Sequence, residues 1–132
     1  MVDDRRQEDL RHMAAIADNI LMFNLGVSDM EKSKEYYVNL LGLKVTSDIG
    51  HGNMRWVTLG FPGGGASLVL TTAFGNFKPG TMSIQFSTSD IQGAYKKLKA
   101  TGPVMEDFHG PGSGVSGFQV NDPDGNTLSF VH

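Results

Sequence analysis

The chain repeats itself at half its length, and this repeat limits its possible folds more than any other feature. Ser28-Asp29-Met30-Glu31 is matched by Ser89-Asp90-Ile91-Gln92 at an offset of 61, and Gly42 by Gly102 at an offset of 60. Around both matches the hydrophobic period runs in the same order, from strand-like to helical to strand-like. Residues 19–27 alternate as a strand. A helix is predicted over 30–41, with Ser28 and Glu31 as a capping box and Gly42 as its stop. Strands follow at 43–47, 54–60 and 67–72, separated by the glycine turns GHGN and FPGGGA. The second copy begins with a strand at 81–88, then a box of Ser89 and Gln92, a helix over 91–100 and the stop Gly102. Strands near 104–108, 117–120 and 127–131 complete it, the last two joined by the hairpin turn Asp122-Pro123-Asp124-Gly125-Asn126.

The predicted fold class is therefore α+β, with two tandem βαβββ modules at about 19–72 and 81–131 in one domain over 18–132. Residues 1–17 are polar, with Leu10, Met13 and Ala17 near helical spacing, and are expected to form an added helix or a loose arm. With 132 residues the chain has the length to bury a core. A hydrophobic content of 39% and a net charge of −3 exclude a disordered or membrane class. The opening MVDDRRQEDLRHM has charge but no apolar stretch, so no signal peptide is expected. Without cysteine there is no disulfide and no thiolate ligand or nucleophile, and a cytoplasmic location is expected. The densest basic run, Lys96, Lys97 and Lys99, reads as the solvated face of the second helix. Neither nucleic acid nor a membrane is an expected partner.

The segments VSDMEKSKEYYVNLLGLKV and NDPDGNTLSFV, in this order, resemble the vicinal-oxygen-chelate superfamily of glyoxalases, bleomycin-resistance proteins and extradiol dioxygenases. The matching residues are Val27, Asp29, Tyr36-Tyr37, Leu41-Gly42 and Asp122 to Asn126, and GNMRWVTLGFPGGGASLVL is similar to a glyoxalase-like subset; the likeness covers about 19–131. It implies a cupped mixed sheet, helices outside and a ligand cavity inside. The residues agree with that expectation. Phe23, Leu25 and Val27, then Leu68 and Leu70, Met82, Ile84 and Phe86, and Leu128 and Phe130 form one apolar face, suited to burial under helices. The other face reads Met22, Asn24, Gly26; Ser67, Val69, Thr71; Ser83, Gln85, Ser87; and Thr127, Ser129, Val131. It is polar but uncharged, as suits a cavity wall.

In metalloenzymes of the superfamily, His, Gln or Glu on the cavity face of the first, fourth, fifth and eighth strands hold a divalent ion. The resemblance carries those positions onto Met22, Val69, Ser83 and Ser129, and the repeat pairs 22 with 83 and 69 with 129. A thioether, an alkyl group and two neutral hydroxyls make a poor ligand set, so no metal and no cofactor is expected. A one-residue slip brings up only apolar side chains. His12, His51, His109 and His132 show no ligand spacing. His109, near Glu106 and Asp107, is the best acid–base candidate, but neighbouring strand residues point apart, and no catalytic residue is assigned. FPGGGA and GPGSG lack the Lys-Ser or Lys-Thr of a phosphate loop, and no serine stands in a nucleophile elbow.

If Arg55 shares the core side with Val57 and Leu59, Trp56 faces the cavity and can stack on a flat ligand, while Arg55 pairs with an acid or anchors an anion. Phe61, Phe74 and Phe77, with Phe108 and Phe118 in the second module, are expected near the rim. The expected ligand-binding set is Met22, Asn24, Trp56, Val69, Ser83, Gln85 and Ser129. The function expected is metal-free binding of a small neutral or aromatic molecule, of the drug- or metabolite-sequestering, antibiotic-resistance type. The alternatives are a divalent-metal-dependent glyoxalase-like lyase, isomerase or dioxygenase, and a regulatory module with a vestigial cavity. A homodimer is the expected assembly.

Overall fold

A computed structural model describes residues 16–72, 78–104, 106–109 and 115–132. The first module runs β1 (Met22–Gly26), α1 (Met30–Glu35) continued by a π-helical turn (Tyr36–Leu40), β2 (Lys44–His51), β3 (Met54–Gly60) and β4 (Ser67–Thr71). The second runs β5 (Ser83–Ser87), α2 (Ile91–Thr101), β6 (Glu106–His109), β7 (Val115–Asn121) and β8 (Thr127–Val131). The strands form two mixed four-stranded sheets, ordered β1-β4-β3-β2 and β5-β8-β7-β6. In each sheet the first strand pairs parallel with the last, and the other pairings are antiparallel. This is the α+β, two-module plan, with the strands divided between two sheets.

Each helix buries one side on its sheet. Leu25, Tyr37, Val57, Leu59, Leu68, Leu70, Phe118 and Leu128 are fully buried, with Met30, Ile84, Ile91, Leu98 and Phe130 close behind. At about 25 cal/mol per Å² of apolar surface removed from water, this shared seam holds the fold together. Two expected core or rim positions differ. Met82 lies before β5 and is 39% exposed, because the strand begins one residue later. The sequence reading puts Phe118 at the rim, but it is fully buried, since it stands opposite Phe130 on the core face of the second sheet and its ring meets Tyr95 of α2.

Both helices begin at the predicted residues, Met30 and Ile91, but the aspartate and not the serine is the cap. Asp29 caps α1 by accepting from Lys32 N at 3.2 Å, and Asp90 caps α2 by accepting from Gly93 N at 3.0 Å. A carboxylate is the stronger acceptor at a helix N-terminus, so it takes the cap and frees the preceding serine. Ser28 uses that freedom to bond Asp124 through both its backbone N–H and its hydroxyl. The predicted first helix changes pitch at Tyr36 and ends at Gly42, whose φ of +83° suits glycine. Gly102 ends α2 with extended backbone instead. β2 reaches His51, so this histidine closes a strand and not a turn: His51 pairs with Met54 around Gly52-Asn53. Residues 1–15, with His12, and Phe74, Phe77 and Gly110 lie outside the described residues.

Candidate functional site

The strand register sorts the expected ligand-binding residues into two groups, one on each sheet. Asn24 stands opposite Val69, Val69 opposite Thr58, and Trp56 opposite Thr71, so Met22, Asn24, Trp56 and Val69 share one face of the first sheet. Gln85 stands opposite Ser129 and Ser83 opposite Thr127, which puts Ser83, Gln85 and Ser129 on one face of the second. The pairing Asn24–Val69 is reproduced by Gln85–Ser129, so the repeat seen in sequence is also a repeat in register. No strand pairing joins the sheets, and the two groups are brought together only within each sheet.

Exposure differs along these faces. Met22 is 45% exposed, and Asn24, Ser83 and Gln85 are exposed, whereas Val69 is 3% exposed and Thr71 1% because β4 is a central strand. Trp56 and Ser129 are half-buried. Thr58, Ile49 and Gln119, not singled out in sequence, join the same faces: Thr58 opposite Val69, Ile49 opposite Trp56 and Gln119 opposite Ser129. Knowing the register would have identified them, but hydropathy alone does not separate a cavity hydroxyl from a solvated one. On β1, β3, β4, β5, β7 and β8 this face carries no charged residue, only amides, hydroxyls, thioethers, one indole and alkyl groups. Such a surface orients a ligand by hydrogen bonds and stacking, and offers no strong acid or base.

Arg55 lies on the opposite face with the buried Val57 and Leu59, which turns Trp56 to the uncharged side. Its guanidinium donates to Asp48 from Nε at 3.0 Å and Nη2 at 2.7 Å and also pairs with Glu31, while Lys34 reaches Asp48 at 3.0 Å. These hydrogen bonds hold the Asp48 carboxyl well below the usual carboxylate range and keep Arg55 charged.

The positions that hold a metal in the metalloenzymes are a thioether at 22, an isopropyl group at 69 and hydroxyls at 83 and 129. This set does not fit a divalent ion, whose usual donors are imidazole, carboxylate or thiolate. Among the described residues no three His, Asp or Glu side chains cluster so as to hold one elsewhere. His51 and His132 stand at the ends of β2 and of the chain. His109 ends β6, where a register irregularity separates it from Phe108.

The family model for the glyoxalase/bleomycin resistance protein/dioxygenase superfamily matches residues 19–130. The chain belongs to this superfamily. Among solved structures, it is similar to TnmS3, an antibiotic binding protein from Streptomyces sp. CB03234. The identity is 28% with a TM-score of 0.76, covering 89% of this chain and 97% of that one. A glyoxalase/bleomycin resistance protein from the same organism matches at 28% identity and TM-score 0.72, covering 86% of this chain and 100% of that one. A superfamily member from Sphaerobacter thermophilus matches at 30% and 0.72, covering 89% and 98%. No curated protein matches significantly. Among the described residues no helix of this superfamily member is long and apolar enough to cross a membrane.

Proposed function

We propose that this protein binds a small neutral or aromatic organic molecule against the uncharged sheet faces, without a metal, as a drug- or metabolite-sequestering member of its superfamily. The observation that carries the reading is the side-chain chemistry of that surface. It offers Trp56 for stacking and Asn24, Ser83, Gln85 and Ser129 for hydrogen bonds, with Met22 and Val69 where an ion would need donors. The antibiotic-binding character of TnmS3 supports the same reading. Met22, Asn24 and Ile49 stand exposed on one such face, the last at 57%, and we propose that a second copy related by a two-fold axis closes it, giving a homodimer. The cytoplasmic placement rests on the cysteine-free sequence.

The test is a thermal-shift screen of aromatic antibiotics, with Trp56 fluorescence as a second signal, on protein before and after EDTA. Because Trp56 is the sole tryptophan, a ligand that stacks on it changes the whole indole emission. A ligand at a hundred times its Kd adds about 2.7 kcal/mol, a rise of several degrees in Tm. We expect such a rise, with quenching, unchanged by EDTA. A stoichiometric ion whose removal lowers Tm would overturn the metal-free reading in favour of a metal-dependent enzyme. Light scattering that gives a monomer at micromolar concentration would remove the dimer.

A further inference from the structure

The two modules meet at two junctions related by the internal repeat, and the sequence has built them oppositely. At the first, side chains of the α1 segment meet the β7–β8 turn. Ser28 bonds Asp124, the Ser33 hydroxyl donates to Asp124 Oδ2 at 3.3 Å, and the Tyr37 hydroxyl donates to Asp122 Oδ2 at 2.7 Å. Asn126 lies under the same turn, fully buried, donating to Asp122 at 2.8 Å. Moved by 61 residues, Ser28, Ser33 and Tyr37 become Ser89, Ala94 and Leu98, and Asp122, Asp124 and Asn126 become Phe61, Gly63 and Gly65. Ser89 keeps its hydroxyl, but the other hydroxyls, the carboxylates and the amide are replaced by alkyl groups, an aromatic ring and bare backbone.

At this second junction lies a cleft of about 940 Å³ between the modules, walled by Phe23, Phe61, Phe86, Ala94 and Leu98 and bordered by Lys97. A Cβ built on Gly63 or Gly64 would meet nothing within 4 Å, so the turn lies open along its edge. The cleft is also the end of an aromatic stack that begins in the core. Tyr95 meets Phe118 at 5.5 Å between ring centroids, Phe118 meets Phe130 at 5.2 Å, Phe130 meets Phe86 at 5.3 Å and Phe86 meets Phe61 at 5.8 Å. Phe118 is fully buried, while Phe61 and Phe86 are half-buried. The stack therefore runs from the interior to an accessible wall. The π-helical turn, a feature often found at functional sites, brings Leu40 to the same wall. Two exposed charges stand at the border: Asp90, whose carboxylate caps α2 by accepting from Gly93 N, and Lys97.

We infer that this cleft is a second ligand site, which meets the uncharged sheet faces only along β5 at Gln85 and Ser87, and that it takes a flat aromatic molecule carrying one anionic group. The ring continues the Phe86–Phe61 stack and the anion faces Lys97. The volume falls within the range of organic-ligand pockets.

The test uses the full chain, labelled with nitrogen-15, titrated with 2-naphthoate and with the neutral 2-naphthamide while amide shifts are followed. Saturable naphthoate shifts centred on Gly63, Gly64 and residues 87–94 are expected, with naphthamide several-fold weaker. Lys97→Glu, a change at an exposed helix position, should weaken naphthoate at least fivefold and leave naphthamide unchanged. Absence of saturable shifts at millimolar naphthoate, or shifts centred on Asn24, Trp56 and Ser129, would overturn the cleft as a site. Equal binding by both probes, or by both proteins, would overturn the assigned anion. Trp56→Ala separates this proposal from the sheet-face reading: it should abolish ligand binding there and leave naphthoate titration in the cleft unaltered.

Discussion

The β3–β4 and β7–β8 turns occupy equivalent places in the two modules, yet they hold the protein together in different ways. Phe61-Pro62-Gly63-Gly64-Gly65 and Asp122-Pro123-Asp124-Gly125-Asn126 share the proline and the fourth-position glycine at an offset of 61. In the second turn Asp122, 5% exposed, accepts from Tyr37 Oη at 2.7 Å, from Asn126 N and Nδ2 at 2.8 Å each and from Asp124 N at 3.0 Å. Asn126 in turn accepts from Met82 N at 2.9 Å. The linker is tied down as well: Gly80 has φ +83°, and a Cβ there would collide with the Asp124 carbonyl oxygen. The first turn has no side-chain carboxylate or amide with which to build such a network; the Phe61 carbonyl accepts from Gly64 N at 3.0 Å, and its side chain offers ring contact. One set of backbone positions can therefore close a junction with polar bonds or leave it as an apolar cleft, depending on a few side chains.

The largest effect should come from removing the buried carboxylate. Asp122→Ala strands the donors of Tyr37, Asp124 and Asn126 and should cost about 3–5 kcal/mol in urea unfolding. Phe61→Ala, at the equivalent position, removes a half-buried ring with no buried polar partner and should cost less. Equal losses would remove the contrast between the junctions.

Tyr37→Phe keeps the ring and deletes one donor to Asp122, for an expected loss of about 1–3 kcal/mol by the same measurement. The tyrosines of this junction also set an alkaline limit. Burial, then the charge of Asp122, pushes Tyr36 up to about 12, and the same causes raise Tyr37 further. A phenol whose pKa is raised by folding contributes stability fully below its unfolded value of about 10, and that contribution is lost as pH climbs through the folded value. Unfolding free energy measured from pH 9 upward should therefore begin to fall near pH 10 and still be falling at pH 12. A flat profile would show that the tyrosines are not held neutral by this junction.

The smallest effect belongs to the outer ion pairs of module one, whose side chains remain about 30% exposed at Arg55, Lys34 and Asp48. Arg55→Ala should change stability by about 1 kcal/mol or less at neutral pH. Because Asp48 has its pKa lowered, the contribution is present above about pH 3.9 and is lost as pH falls below it. The variant should lose most of that acid-side slope while Asp122→Ala keeps it.

Much of the architecture could be read from the chain. The repeat gave the two modules, alternation assigned Leu68, Leu70 and Leu128 to the core face, and the residue types at 22, 69, 83 and 129, the positions that the family resemblance carries over, make a poor metal-ligand set. Those features follow from covalent order, since a period of two in a strand fixes which side chains share a face. Other features depended on energies that local sequence does not rank. Two acceptors, Ser28 and Asp29, competed for one cap; the carboxylate took it, and Ser28 was left to bond a partner 96 residues away. Phe118 and Phe61 looked alike as aromatics near turns, but one is core and the other walls a cleft.

By itself, then, the sequence determined the modules, their faces and the donor chemistry each face can offer. Tertiary structure alone decided which junction closes around Asp122 and which stays open beside Phe61. The reason is that hydrogen bonds and voids form between residues far apart in the chain, and their free energy is set by the geometry in which those residues meet.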